Sequence, residues 1–351
     1  LIKLDNGSRQ VIFLDELPWM DTPRSGFLPA FESFWNGWCS GRDNIMLIVC
    51  GSATSWILGN LSRNKGGLYG RLTDEIKLSP FTLKECEEYF AHENIVMSRY
   101  DILQSYMVFG GIPYYLSYFK KGLSLTANID NILFGKNPRL NDEFNRLFNA
   151  IFTNPEDCKK IISLLAKRHI GYTREEISEE TNIPFGGGLT NTLNALIESD
   201  FVQKYNPYNT HGKVVRYKLI DNFCLFWLKY VDENVHKSDF MTENISSEIL
   251  KSWRGVAFEE LCWQHINPIK RALGISGISS SLSAWNVKGD DNKEGVQIDL
   301  LITRNDNVVN LCEMKFAGDT YTIDKDEDAK LRNRIETLKQ TLSAKQSVHL
   351  T

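Results

Sequence analysis

The stretch "GVQIDLLITRNDNVVNLCEMKF", Gly295 to Phe316, carries two acids and a lysine at spacings that permit chemistry. Alternating apolar residues flank Asn305-Asp306-Asn307, a turn signal, so the segment predicts a β-hairpin centred near Asp306. Pairing about that centre sets Asp299 opposite Glu313. Because side chains alternate along a strand, Lys315 shares a face with Glu313 and Gln297 shares one with Asp299. The other face, Val296, Ile298, Leu300 and Ile302 against Cys312, Met314 and Phe316, is expected to be core. Two facing carboxylates repel unless a cation sits between them. With a lysine beside them they form the arrangement of a divalent-metal phosphodiesterase: the acids bind Mg²⁺ through oxygen, the ion activates water, and the ammonium takes up developing charge. The alternative for such a set is a solvated cross-strand ion network.

Asp299 followed by Glu313-Met314-Lys315 resembles the PD-(D/E)XK nuclease signature. In that resemblance Glu259, in the preceding "RGVAFEELCWQHI", matches the additional acid of the family, and Ile298 stands where the signature has proline. Asp299, Glu313 and Glu259 are thereby the expected metal carboxylates and Lys315 the catalytic cation. Such folds also serve as binding modules without activity.

A second pair of acids follows an apolar run in "QVIFLDELPWM", residues 10 to 20. Val11-Ile12-Phe13-Leu14 shows no alternation and predicts a strand covered on both faces of a parallel sheet. Ligands of such sheets sit beyond the carboxyl ends of the strands. The pattern resembles a Walker B element, with Asp15 as the carboxylate holding Mg²⁺ on a nucleotide and Glu16 as the base orienting water; the simpler reading is a strand ending in an Asx-type turn. A second apolar run in "NIMLIVCGSATSWI" ends at Gly51-Ser52, which places Ser52 at the sensor position beside that strand. Arg71 follows a glycine-rich turn and is the candidate arginine finger, the bland reading being a surface salt bridge.

No G-x-x-x-x-G-K-[ST] loop occurs anywhere in the sequence. The chain opens on Leu1 a few residues before the strand and closes on "SVHLT", so the expectation is a fragment whose main phosphate cradle lies in other sequence. Residues 1 to 351 alone are then expected to bind ATP weakly or not at all.

"VIFLDELPWMD", "CGSATSWI", "GRLTDEIKLSPFTLKECEEYF" and "FGGIPYYL" stand in the order and spacing of the archaeal-type ATPases, a signal-transducing, AAA-like branch of the prokaryotic P-loop proteins. The resemblance spans essentially the whole chain. It implies ATP and Mg²⁺ as cofactors, hydrolysis coupled to a conformational change, and a helical lid containing the Gly110–Tyr114 segment. Taken alone, those glycines and Pro113 predict a helix stop.

From about residue 156 three short helical patterns precede "FVQKY" and "KVVRYKLID". This is the helix, helix, helix, hairpin order of a winged helix. Its third helix, Leu189 to Ser199, has no Lys or Arg, whereas phosphate docking needs cations. The wing supplies Lys204, Lys213, Arg216 and Lys218. A relay or protein-contact role is therefore favoured over direct reading of DNA. "DNFCLFWLKYV" predicts aromatic packing.

Composition bounds these readings. At 42% hydrophobic, 24% charged and a net charge of −4, the chain is an ordinary globular sequence without a global basic footprint. Seven cysteines without a C-x-x-C pair argue for a reducing compartment and against structural zinc. No apolar run of ~18 residues suggests a membrane span, so a cytoplasmic protein is expected. The expectation is a multidomain α/β and α protein: residues 1–85 part of a P-loop ATPase core, 86–155 a helical lid, 156–232 a winged helix, and 233–351 a restriction-endonuclease-like α/β domain. Expected partners are nucleotide, with DNA or a protein as further candidates.

Overall fold

A computed structural model describes residues 2, 5–52, 54–62, 66–210, 212–234, 236–287, 289 and 295–351. The chain divides into two compact units, one formed by Leu1–Ser79, Asn145–Lys159 and Thr190–Ser199, the other by Pro80–Phe144, Lys160–Leu189 and Asp200–Thr351. Among the described residues helices dominate, with three small sheets.

In the first unit β1 (Gln10–Leu14) pairs in parallel with β2 (Ile45–Val49), in register from Gln10 opposite Ile45 to Leu14 opposite Val49. Leu14, Leu47 and Val49 pack onto buried Leu17, Phe31, Leu61 and Leu68. The expectation that β1 is covered on both faces is corrected here. Val11 is 66% exposed, Phe13 57% and Met46 60%, because among the described residues the sheet has two strands and this unit's apolar cluster lies on one face of them. Further along the chain, Ile76 and Leu78 are likewise exposed to solvent.

The second unit begins with the helices Leu83–His92 and Arg99–Phe109. The first carries the capping box that Thr82 and Glu85 predict: the Thr82 hydroxyl accepts from the Glu85 N–H and the Glu85 carboxylate accepts from the Thr82 N–H. The second ends where Gly110 takes a left-handed φ of 62°, and Pro113 then opens the short helix Pro113–Leu116.

Along the chain, Pro155–Leu165, Arg174–Thr181 and Gly187–Glu198 are helical. The hairpin of β3 (Val202–Tyr205) and β4 (Arg216–Leu219) follows, pairing Val202 with Leu219. Thr173 and Glu176 form a second capping box. In the Asp221–Val231 stretch Phe223, Phe226 and Trp227 are buried; the Trp227 ring stacks on Phe144 at 4.7 Å and Phe226 meets Trp253 edge-on at 5.0 Å.

The carboxyl-terminal sheet has the order β5 (Ser280–Val287), β6 (Val296–Arg304), β7 (Val308–Cys312), β8 (Ser347–Leu350). β6 is antiparallel to both of its neighbours, β5 and β7; β8 lies parallel to β7 after the helix Lys325–Lys339, the crossover that a parallel neighbour requires. Leu300 faces Cys312 and Thr303 faces Val309, the register that a turn centred on Asp306 dictates.

The prediction of one core face and one chemical face for this hairpin is corrected. Trp285 pairs with Ile298 and Ser283 with Leu301, so two steps along β5 match three along β6. The extra residue is a β-bulge at Asp299–Leu300, and it reverses the inward-outward alternation. Val296 and Ile298 join Leu301, Val309 and Leu311 in one cluster, whereas Leu300, Ile302 and Cys312 join Trp263 and Ile275 in another. Both faces of the sheet are covered, and Asp299 sits at the bulge between them.

Candidate functional site

Two constellations bring acids together, one in each unit. In the first, the carboxyl ends of β1 and β2 bring together Asp15, Glu16, Cys50 and Ser52. Glu16 adopts left-handed backbone angles, φ 47° and ψ 49°, which a non-glycine residue rarely holds without support. The support is visible: the Glu16 carboxylate accepts hydrogen bonds from the Ser52 amide at 3.2 Å and the Ser52 hydroxyl at 3.0 Å. Asp15 accepts from its neighbour's amide at 3.1 Å and from the Cys50 thiol at 2.7 Å. The latter bond is the main reason the Cys50 thiol is held above its ordinary pKa. Parallel pairing of the two strands thus joins three residues singled out in the sequence. Arg71 lies on an exposed loop with its N–H bonded to the Leu68 carbonyl at 3.2 Å. Among the described residues, no hydrogen bond or ion pair links Arg71 to Asp15, Glu16 or Ser52.

The second constellation centres on Asp299 at the β6 bulge. Gln297 Nε2 donates to Asp299 Oδ1 at 2.7 Å, and Trp263 Nε1 donates to the Asp299 carbonyl at 2.9 Å. Trp263 and Glu259 lie one turn apart on the helix Glu248–Gln264, so the same helix face that packs on the sheet delivers the Glu259 carboxylate. Ligand atoms of Glu259, Asp299 and His169 all lie within 4.8 Å of one another, and each residue is partly buried. His169 Nε2 is 3.4 Å from Glu259 Oε2.

The electrostatics of this cluster have identifiable causes. Burial pushes the Glu259 carboxyl above its usual range and the charges of Asp299 and Glu313 add to that, against the bond from His169. For His169 burial acts downward, but the bond to Glu259 and the charge of Glu260 outweigh it and the net shift is upward. Next to Glu259 on the helix, Glu260 forms a buried ion pair with Lys218 of β4 at 2.9 Å, and the Lys218 ammonium lies 3.9 Å from the Trp263 ring centre.

Glu313, expected as a metal carboxylate, is not in the convergent trio. It follows the end of β7, where its oxygens are held by Lys315 Nζ at 2.7 Å and by the Arg334 guanidinium. Lys315 also reaches Glu327 at 3.1 Å, so the helix Lys325–Lys339 contributes both an acid and a cation to the edge of the site. Burial alone would lower the Lys315 pKa; its bonds to Glu313 and Glu327 prevail and raise it, so the amine is fully protonated at neutral pH.

Sequence reasoning missed His169, Glu327 and Arg334. Nothing in "AKRHIGYT" marks a ligand: it holds one histidine with no second donor nearby, and its partners come from remote segments. Of the wing cations, Lys218 is buried against Glu260, and Arg216 reaches the Gly171 carbonyl at 2.9 Å and Glu176 at 3.5 Å. Those two charges are neutralised internally and are not presented for phosphates.

No family model matches the chain. It is 25% identical over 303 residues to an uncharacterized protein of Methanocaldococcus jannaschii, a match covering 85% of this chain and 65% of that protein. The chain therefore spans slightly less than two thirds of its relative's length. Among solved structures, a Walker-type ATPase of Pyrococcus abyssi is similar with a TM-score of 0.42 and 16% identity, over 63% of each chain. Among the described residues, no helix is long and apolar enough to cross a membrane.

Proposed function

We propose that this chain belongs to an ATP-driven switch whose carboxyl-terminal part carries a metal-dependent phosphodiester-cleaving centre. The observation that supports the second half is the convergence of Glu259 and Asp299 at a β-bulge, with the Glu313–Lys315 pair beside them. Glu259 and Asp299 would hold a divalent ion, and Gln297 donates a hydrogen bond that fixes Asp299. A bound ion supplies water of lowered pKa and positive charge toward a phosphate. Lys315 stabilises the developing oxyanion, and Glu327 together with Glu313 holds its ammonium in place. Arg334 offsets the charge of Glu313. The substrate class consistent with this set is a nucleic-acid phosphodiester.

For the switch, Asp15 is the carboxylate for nucleotide-bound Mg²⁺, Glu16 orients the attacking water, and Ser52 restrains Glu16 by two hydrogen bonds. Arg71 is proposed as the residue that approaches the γ-phosphate when nucleotide is bound. The three helices and the β3–β4 hairpin are read as a winged helix that relays or contacts protein.

A second reading is favoured by one specific feature. Lys315 is closed between Glu313 and Glu327, and Lys218 and Arg216 are paired internally, as expected if the winged helix and the nuclease-like sheet are silent binding modules. A plasmid-nicking assay in Mg²⁺ or Mn²⁺ separates the two. Cleavage by the wild-type chain that disappears in both Asp299→Ala and Lys315→Ala supports the catalytic reading, and cleavage surviving both substitutions, or absent from the wild type, leaves the binding-module reading.

A further inference from the structure

His169 stands outside the segments that supply the acids of the proposed centre, yet it shares their cluster. We propose that His169 is a direct ligand of the bound ion, making the site one imidazole nitrogen and two carboxylates and selecting a transition metal such as Mn²⁺, Co²⁺ or Zn²⁺ over Mg²⁺. This inference rests on the reading of Glu259 and Asp299 as metal ligands and deepens it by naming the third donor and the class of ion.

Three observations carry the assignment. The ligand atoms of His169, Glu259 and Asp299 are mutually within 4.8 Å, a spacing one ion closes with small side-chain shifts. The histidine loop and Asp299 are both held from behind. On the histidine side, Tyr205 Oη donates to the Ile170 carbonyl at 2.7 Å and Arg216 donates to the Gly171 carbonyl at 2.9 Å. The next residue, Tyr172, exchanges backbone hydrogen bonds of 2.9 and 2.8 Å with Tyr217 of β4. On the carboxylate side, Gln297 and Trp263 fix Asp299, and the Tyr205 ring lies 5.8 Å from the Trp263 ring. One aromatic contact therefore links the support of the histidine loop to the support of Asp299. Outer-shell anchoring of this kind is what orients metal-ligating side chains.

The third observation is the donor set itself. Mg²⁺ and Ca²⁺ favour all-oxygen sites, while imidazole suits the first-row divalent ions, whose affinities rise from Mn²⁺ toward Cu²⁺. A histidine approaching two carboxylates on a loop pinned at both following residues is a poor arrangement for Mg²⁺ and a good one for Mn²⁺. Such an ion would also tie the loop between the helices Pro155–Leu165 and Arg174–Thr181 to the sheet carrying Asp299.

The test is Mn²⁺ binding to the full chain followed by electron paramagnetic resonance, with Mg²⁺ as competitor. The expected result is one Mn²⁺ bound more tightly than Mg²⁺, with electron spin echoes modulated by a directly bound nitrogen. Growing the wild-type protein on ¹⁵N-histidine should replace the ¹⁴N coupling by the ¹⁵N signature, a readout that requires no substitution. His169→Gln should weaken Mn²⁺ binding about tenfold or more and leave Mg²⁺ affinity nearly unchanged. Mn²⁺ bound with no nitrogen coupling and equal affinity in His169→Gln overturns the inference; if that binding is still lost in Asp299→Asn, the carboxylate centre of the proposed function survives without its histidine. Failure of the wild-type chain to bind any divalent ion overturns both.

Discussion

His169 Nε2 lies 3.4 Å from Glu259 Oε2, joining the loop between the helices Pro155–Leu165 and Arg174–Thr181 to the helix that delivers Glu259 to the β6 bulge. The contact unites segments remote in sequence within one compact unit. Its surroundings make it sensitive to changes that touch neither residue, and the first predictions use that sensitivity.

Gly171→Ala should destabilise the fold and loosen the histidine loop. Gly171 has φ +70°, and a Cβ there would lie 2.1 Å from the Tyr217 carbonyl oxygen. The left-handed conformation alone costs roughly 1–2 kcal/mol for alanine, and the backbone clash adds to it. Thermal denaturation should show a clear fall in Tm, and metal affinity should fall with it. An unchanged Tm would mean that the loop does not hold this approach to β4.

Breaking the buried pair from one side should cost more than removing it. Lys218 and Glu260 are both almost fully buried and bonded at 2.9 Å. Lys218→Met leaves Glu260 without its cation and should destabilise by about 3–5 kcal/mol. The double variant Lys218→Met/Glu260→Leu should recover most of that in urea denaturation. If the single and double variants lose equally, the pair is not what stabilises the seat of Trp263.

Glu176 gives a pH prediction. Burial acts to raise its pKa, but hydrogen bonds from the Thr173 amide and from Arg168, together with the charges of Arg168 and Arg216, outweigh it and hold the carboxyl below the ordinary glutamate range. The folded carboxylate is thus favoured over the unfolded one. Its contribution is complete above the ordinary glutamate range and disappears as pH falls through the folded pKa. Glu176→Gln keeps an acceptor for the Thr173 amide but removes the charge that Arg168 and Arg216 face, and should lower stability by about 0.5–1 kcal/mol at pH 7, with the difference shrinking below pH ~4. A difference that grows on acidification would contradict the sign.

For the nucleotide half, residues 1 to 351 alone should bind Mg²⁺-ATP weakly by calorimetry, since the sequence has Asp15 and Glu16 but no G-x-x-x-x-G-K-[ST] loop. In a protein that supplies such a loop together with this chain, Glu16→Gln should keep nucleotide binding and lose turnover. Unchanged hydrolysis would remove Glu16 from that role.

What could be read from the sequence followed from local rules. The turn at Asn305–Asn307 fixes the β6–β7 register, because pairing about a tight turn leaves little choice. Both capping boxes and the Gly110 helix stop obey short-range hydrogen-bonding and backbone rules. What could not be read depends on tertiary partners. The bulge at Asp299 arises from pairing with β5, a strand not included in the hairpin argument. The open face of β1 depends on which elements cover a parallel strand, and an unbroken apolar run carries no such information. The hairpin pairing sets Glu313 opposite Asp299, but Arg334, on a later helix, competes for its carboxylate. His169 had no partner within its own segment.

The most direct measurement is an anomalous difference map from crystals of this chain soaked in MnCl₂ and recorded above the manganese absorption edge. The account predicts one strong peak with oxygens of Glu259 and Asp299 at about 2.0–2.6 Å, and Lys315 on the phosphate-facing side of the ion. No peak between those carboxylates at saturating Mn²⁺, or an ion bound elsewhere with Glu259 and Asp299 unligated, would contradict it.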